Sequence, residues 1–305
     1  MGRGRVEMKE GYVQVAGGKI YYKQVGEGKK TPIILLHGGP GGTHMPMLSL
    51  EALADERPVI FYDQLGSGRS DRPTDMSLWH VDRFVEELGQ IRKALGLDLV
   101  HILGHSWGTM LAASYLLTKP EGVESIIFSS PCLSAPQWAK DQDEHRKELP
   151  QEIQDVLASC EKEGRTDSEE YKEAMKVFYK RFVNRLDKKP EILNSEYAKG
   201  NDVVYETMWG PSEFYTTGNL KTFDVTDRLH EIKIPALFTC GKYDEAAPQT
   251  VEAHSQQIQG SKFHIFEKSA HQGFLEEPEE YVRVIREFLT KVERDRGTGS
   301  LSQNR

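Results

Sequence analysis

The stretch LGHSWGTMLA, residues 103–112, sets one serine between two glycines, after the apolar run Leu97–Leu103 and before the small and apolar residues Gly108–Leu117. A short apolar run followed by a helical pattern predicts strand, tight turn, helix. Gly104-His105-Ser106-Trp107-Gly108 then matches G-x-S-x-G, an elbow that exposes a serine hydroxyl at the end of a strand. Glycines are needed because side chains at so sharp a bend would collide with the neighbouring strand and helix, while the serine itself is strained. The helix after it turns its first N–H groups toward any negative charge that develops there. Ser106 is therefore a candidate nucleophile.

Outward from the elbow, buried-type strands are predicted at Ile33–Leu36, Val59–Tyr62, Leu99–Leu103, Ser125–Ser129, Ala236–Cys240 and Phe263–Phe266. Such continuous apolar runs suit a parallel sheet covered on both faces. Helical patterns lie between several of them, at Val81–Leu95, Gly108–Leu117 and Glu280–Val292. Strands alternating with helices predict a mostly parallel, doubly wound α/β sheet. YVQVAGGKIYYKQV (12–25), turning at Gly17-Gly18, predicts an opening hairpin. From Cys132 to Asp227 the strand signal disappears and the chain becomes charged and helical, as in SEEYKEAMKVFYKRFVNRL (168–186). We expect a core of residues 1–131 and 228–293, a helical insertion over 132–227, and a flexible polar tail over 294–305.

A serine hydroxyl needs an imidazole to take its proton, and the imidazole needs a carboxylate to fix its tautomer and stabilise its charged form. On a sheet of this kind the order is Ser, acid, His. GKYDEAAP (241–248) follows the strand ending at Cys240, and KSAHQGF (268–274) follows the strand ending at Phe266. Asp244 and His271 thus fall in loops at the carboxyl edge of the sheet, beside Ser106. LLHGGPGG (35–42) leaves its strand at the same edge, with glycines that let backbone approach a substrate oxygen closely. We assign the oxyanion donors to the N–H groups of Gly39 and Trp107.

Other motifs carry less. DQLGSGRSD (63–71) lacks the third glycine of a dinucleotide fingerprint and is expected to be a structural turn. His101 and His105 are four apart, but straddle a strand and a turn, and no H-E-x-x-H occurs, so neither is taken as a metal ligand. Three widely separated cysteines, Cys132, Cys160 and Cys240, give neither a disulfide framework nor zinc spacing and suit a reducing cytoplasm. The chain has 305 residues, 38% of them hydrophobic, and a net charge of −8, which excludes a phosphate-neutralising surface and favours a small cationic substrate. No run approaches the roughly 18 apolar residues of a membrane span. The first residues lack the apolar run of a signal peptide, and Val6 stands where myristoylation wants Ser or Thr.

Taken in order, HGGPGG, FYDQLGSGRSD, GHSWGTMLA, GPSEF, GKYDEAAP and AHQGF resemble the prolyl aminopeptidases, or proline iminopeptidases, of the α/β-hydrolase superfamily. The likeness runs from about residue 11 to 290 and is nearest the shorter, monomeric branch. The elbow alone marks the superfamily, whereas MWGPSEFYTTGNLKTFDVTDRL (208–229) is more specific. The resemblance implies an α/β-hydrolase fold with a helical cap and a serine exopeptidase that releases an N-terminal residue, often proline, through an acyl-enzyme. It implies no metal or organic cofactor, and partners that are short peptides or amino-acid derivatives with a free amine. In the family, acidic residues from the cap and beside the triad bind the α-amino group. The matching positions here are Glu213 and Glu245, with Tyr205, Trp209, Phe214 and Trp107 as candidate walls of a pyrrolidine-sized pocket. An amino-acid amidase or esterase on the same three residues is the alternative.

Overall fold

The computed structural model describes residues 7–302, with side chains to residue 297. Residues 1–6, which include Val6 of the myristoylation expectation and open the stretch read for a signal peptide, lie outside that range, as do the last three of the expected tail. Eight strands form one sheet: β1 (Met8–Val15), β2 (Gly18–Val25), β3 (Ile33–Leu36), β4 (Val59–Tyr62), β5 (Val100–His105), β6 (Val123–Ser129), β7 (Ala236–Gly241) and β8 (Lys262–Phe266). Their order across the sheet is β1-β2-β4-β3-β5-β6-β7-β8. The opening hairpin and its pairing with β4 are antiparallel, and every later pairing is parallel.

The apolar runs become strands because both faces of the sheet are covered. In β3, Ile34 and Leu36 join one core cluster while Ile33 and Leu35 join the other. The first face packs against α1 (Val81–Ala94), α2 (Trp107–Leu116) and α7 (Pro248–Ser255). The second packs against the 3₁₀ segment Met45–Asp55 and α9 (Pro278–Ser302), which follows the short α8 (Gly273–Glu276). α9 runs about two turns past the expected break at residue 294. A Lys291–Asp295 pair at i,i+4 and an Arg296–Glu124 contact to β6 lie along this part of the helix.

Between β6 and β7 the chain leaves the sheet to form α3 (Ala135–Lys147), α4 (Gln151–Glu163), α5 (Glu169–Phe182) and α6 (Asp202–Met208). The neck of this insertion is closed by an isolated bridge between Ser134 and Asp224, with Ala135 N–H donating to Phe223 and Val225 N–H to Leu133. The insertion has its own apolar centre, in which Leu157, Cys160, Tyr171, Phe178 and Phe182 pack with Phe214. No helix among the described residues is long and apolar enough to cross a membrane.

Candidate active site

The elbow glycines are fixed by contact distances. A Cβ on Gly104 would lie 2.3 Å from the Gly108 carbonyl oxygen, and one on Gly108 only 2.2 Å from that of Leu36. Ser106 between them has φ 52° and ψ −121°, a conformation that L-residues rarely adopt. It stands at the N-terminal end of α2, and its hydroxyl makes no hydrogen bond among the described residues. That hydroxyl borders a cavity of about 140 Å³, shared with His271, Glu213, Gly39, His105, Val183 and Met47. On its other side lies a chamber of about 10 Å³, room for roughly one water, walled by Trp107, Met110, Cys132, Trp138 and Trp209.

His271 Nδ1 donates to Asp244 Oδ1 at 2.7 Å. Asp244 is fully buried, and its other bonds come from Ser130 Oγ at 2.6 Å, Gly241 N at 3.1 Å and Ala246 N at 2.8 Å. A carboxylate so surrounded has one orientation, and it fixes the proton of His271 on Nδ1. Burial disfavours the imidazolium, but the Asp244 charge and hydrogen bond, with Glu213 and Glu276 behind them, leave His271 above its ordinary range. Ser106, Asp244 and His271, distant in the chain, thus come together at the carboxyl ends of β5, β7 and β8.

Facing them, the Gly38–Gly39 peptide is held from behind. His37 Nδ1 donates to the Gly38 carbonyl at 2.8 Å, which turns the N–H of the same peptide, that of Gly39, the opposite way. His37 is kept neutral, its pKa lowered to about 4 by burial, and its Nε2 accepts from Gln64 N at 3.0 Å. The Gln64 side chain donates to the His37 carbonyl at 3.1 Å and accepts from Trp107 Nε1 at 2.8 Å. One glutamine therefore ties the glycine loop to the first residue of α2. Asp63 beside it is also buried, accepting from His44 N at 3.0 Å, His44 Nδ1 at 2.8 Å and Arg69 N at 3.0 Å. DQLGSGRSD is a turn folded around that aspartate.

Two further carboxylates lie near the base: Glu213 borders the cavity, and Glu245 is buried beside His271. Glu245 is 0% exposed, and neither of its oxygens has a hydrogen-bond partner. Oε1 lies 3.5 Å from His271 Nε2. Burial, then Glu213 and Asp244, push its pKa well above the ordinary carboxylate range. Glu213 follows α6 in the insertion, held through its backbone by Tyr179 Oη at 3.2 Å and Trp138 Nε1 at 2.9 Å, with its carboxyl raised by burial. The buried Tyr205 hydroxyl has no hydrogen-bond partner, and is held well above its ordinary range by burial first and then by Glu213. A fully buried carboxylate without a partner, such as that of Glu245, is costly and favours a cation or a proton beside it.

Several residues differ from expectation. Phe214 turns away from the site and packs between Tyr171 and Phe178 in the insertion's core, because its neighbours supply an apolar centre there. His105 belongs to β5 and not to a turn, and its ring lies 4.7 Å from those of both His271 and Phe274. His101, about 13 Å away along the same strand, is held by Ser125 at 2.8 Å, so the two cannot share a metal. Trp138, edge-on to His271 at 5.9 Å, and Ser130 join the site without any sequence signal.

The strand order and the elbow define a serine hydrolase of the α/β type, and the alpha/beta hydrolase fold family matches residues 31–278. A proline iminopeptidase of Heyndrickxia coagulans is 57% identical over 285 residues, covering 93% of this chain and 99% of that one. The crystal structure of the proline iminopeptidase of Mycobacterium smegmatis superposes with a TM-score of 0.86 at 31% identity, covering 94% of this chain and 99% of that one. The crystal structure of VinJ superposes with a TM-score of 0.89 at 32% identity over 93% and 99% of the two chains. The chain belongs to the proline iminopeptidase family.

Proposed function

We propose that the protein removes the N-terminal residue, proline above others, from short peptides with a free amine. Ser106 attacks the carbonyl of the first residue, His271 takes its proton through Nε2 and returns it to the departing amine, and Asp244 holds the imidazole. The Ser106–His271 hydrogen bond forms in the substrate complex. The N–H groups of Gly39 and Trp107 stabilise the tetrahedral oxyanion. Water then enters by the same base and releases the free amino acid.

Glu213 and Glu245 hold the ammonium of the first residue, with the Tyr205 hydroxyl oriented toward Glu213. The observation that carries this reading is Glu245, a buried acid with two unpartnered oxygens beside the base. A cation placed there satisfies both carboxylates and, being fixed about one residue from Ser106, restricts cleavage to the chain end. The aromatic chamber of Trp138, Trp209 and Trp107 opens to receive the ring of that residue. The insertion over 132–227 acts as the cap that sets substrate length. Three buried free cysteines support a cytoplasmic setting.

The test is kcat/KM on proline β-naphthylamide, on its N-acetylated form, and on a panel of other aminoacyl naphthylamides. Strong cleavage of the free-amine proline substrate alone is expected. Equal cleavage of blocked and free forms would leave the three catalytic residues and remove the carboxylate clamp.

A further inference from the structure

The loop bearing His271 is held by a side chain that no step above uses. Glu276, in α8, accepts through Oε2 from Ala270 N at 3.0 Å and from Gln272 N at 3.2 Å, the N–H groups on either side of His271. Its Oε1 accepts from Arg185 N at 2.7 Å, just past the end of α5 in the insertion. The intervening N–H, that of His271 itself, donates to the Val183 carbonyl at 3.2 Å, and Asn184 Nδ2 donates to Gln272 Oε1 at 2.6 Å. Three consecutive N–H groups of the histidine loop are thus taken by one half-buried carboxylate and by the chain segment which that carboxylate also grips. The next segment inward, Phe182, accepts from Glu245 N at 3.1 Å, so the insertion reaches the ammonium-binding acid as well.

We propose that Glu276 is a positioning residue of this reaction, setting the place of the His271 imidazole and seating the cap on the catalytic loops through a single carboxylate. The proposal rests on His271 being the general base. Its physical basis is that one carboxylate offers several acceptor sites in a plane, enough to hold two loop N–H groups and one cap N–H at once. An amide of the same shape offers one accepting oxygen and turns an N–H₂ toward a donor. A charge this near also acts on the imidazole directly. His271 faces Asp244 and Glu245 from the loop after β7, Glu213 from the insertion, His105 from β5 and Glu276 from α8. Of these, Asp244, Glu213 and Glu276 favour its protonated form.

The experiment compares wild type, Glu276→Gln and Glu276→Asp by the pH dependence of kcat, by KM, and by labelling of Ser106 with a fluorescent phosphonate. Glu276→Gln is expected to lower kcat about tenfold or more with a smaller change in KM, and to move the acid-limb midpoint to lower pH. Glu276→Asp keeps the charge and shortens the reach, so it is expected to lower kcat with the midpoint unmoved. If the glutamine variant does not fold, the aspartate variant decides alone. Unchanged kcat in a folded variant overturns the role of Glu276. Wild-type protein that does not label at Ser106, or a His271→Ala variant with normal turnover, fails the underlying reading instead.

Discussion

His271 lies between two acids that it meets with different nitrogens: Nδ1 is 2.7 Å from Asp244 Oδ1, and Nε2 is 3.5 Å from Glu245 Oε1. The adjacent residues Asp244 and Glu245 are both fully buried, yet their surroundings separate their tasks. The Asp244 carboxylate accepts hydrogen bonds from Ser130, Gly241 and Ala246, while the Glu245 carboxylate has none. The first is fixed in one orientation toward the imidazole, whereas burial pushes the second well above the ordinary carboxylate range.

Glu245 should therefore cost stability in the empty enzyme. Its folded-state pKa is raised above the unfolded value, so between the two the folded state holds more protons, and stability falls as pH climbs above about 4.5. Glu245→Gln is expected to melt about 2 °C or more above wild type at pH 7 to 8, the difference vanishing toward pH 4.5. The same variant should lose about 30-fold or more in kcat/KM on free-amine substrates. Paired melting curves and kinetics check both, and a variant less stable than wild type at pH 8 refutes the idea.

Glu213→Gln is expected to lower kcat/KM on proline β-naphthylamide about 30-fold or more, since truncating one partner of a desolvated charge pair costs about 2 to 5 kcal/mol. N-acetylproline β-naphthylamide, which lacks the ammonium, should show no such penalty. A loss under threefold on the free-amine substrate removes Glu213 from the clamp.

The pH profile follows from the raised pKa of His271. A general base must be neutral, so kcat should rise with pH along a limb centred above about 6.5, the value of a free imidazole. The stability contribution runs the other way. It is fully present below the unfolded pKa of His271 and is lost as pH rises through the folded one. Asp244→Asn should move the limb down and cut kcat severely. A wild-type limb centred at pH 6 or lower would contradict the geometry.

How much of this was legible depended on the range of the interactions involved. β3, β4 and the elbow are local: four apolar residues in a row, or two glycines around a serine, need no distant partner to be recognised. The order Ser106, Asp244, His271 could be read because each follows a strand. Gln64 and Glu276 could not be read. Gln64 acts through His37, 27 residues earlier, and Trp107, 43 residues later, while Glu276 grips Arg185, 91 residues earlier. The phenyl of Phe214 was misassigned for the same reason, since its neighbours Tyr171 and Phe178 are far off in the chain. α9 extends beyond the helical pattern read at Glu280–Val292, and Arg296 within it meets Glu124 of β6, a partner that no local reading supplies.

The glycines of the elbow can be separated from glycines in general. Gly108→Ala forces a Cβ to within 2.2 Å of the Leu36 carbonyl oxygen, a backbone atom of the central sheet that cannot yield. Loss of soluble folded protein is expected. Gly89→Ala, in the interior of α1 with nothing nearer than 3.9 Å, should instead stabilise by about 0.5–1 kcal/mol. Expression and thermal melting of the two variants side by side check the contrast; equal behaviour would mean that the steric account of the elbow is wrong.

Gln64 provides the sharpest test of how the glycine loop is held. Gln64→Leu keeps the volume but removes the donor to the His37 carbonyl and the acceptor of Trp107 Nε1, so neither the Gly38–Gly39 peptide nor the start of α2 keeps its tie to the other. The oxyanion contact forms only in the transition state, so the loss should appear in kcat and leave KM nearly unchanged. A fall of about 10- to 100-fold is expected, less than the 10² to 10³ of deleting a donor outright, because the N–H groups remain and only their aim is loosened. Phosphonate labelling of Ser106, which also builds up negative oxygen, should slow in parallel. A Gln64→Leu enzyme with wild-type kcat would mean that His37 alone is enough to orient Gly39.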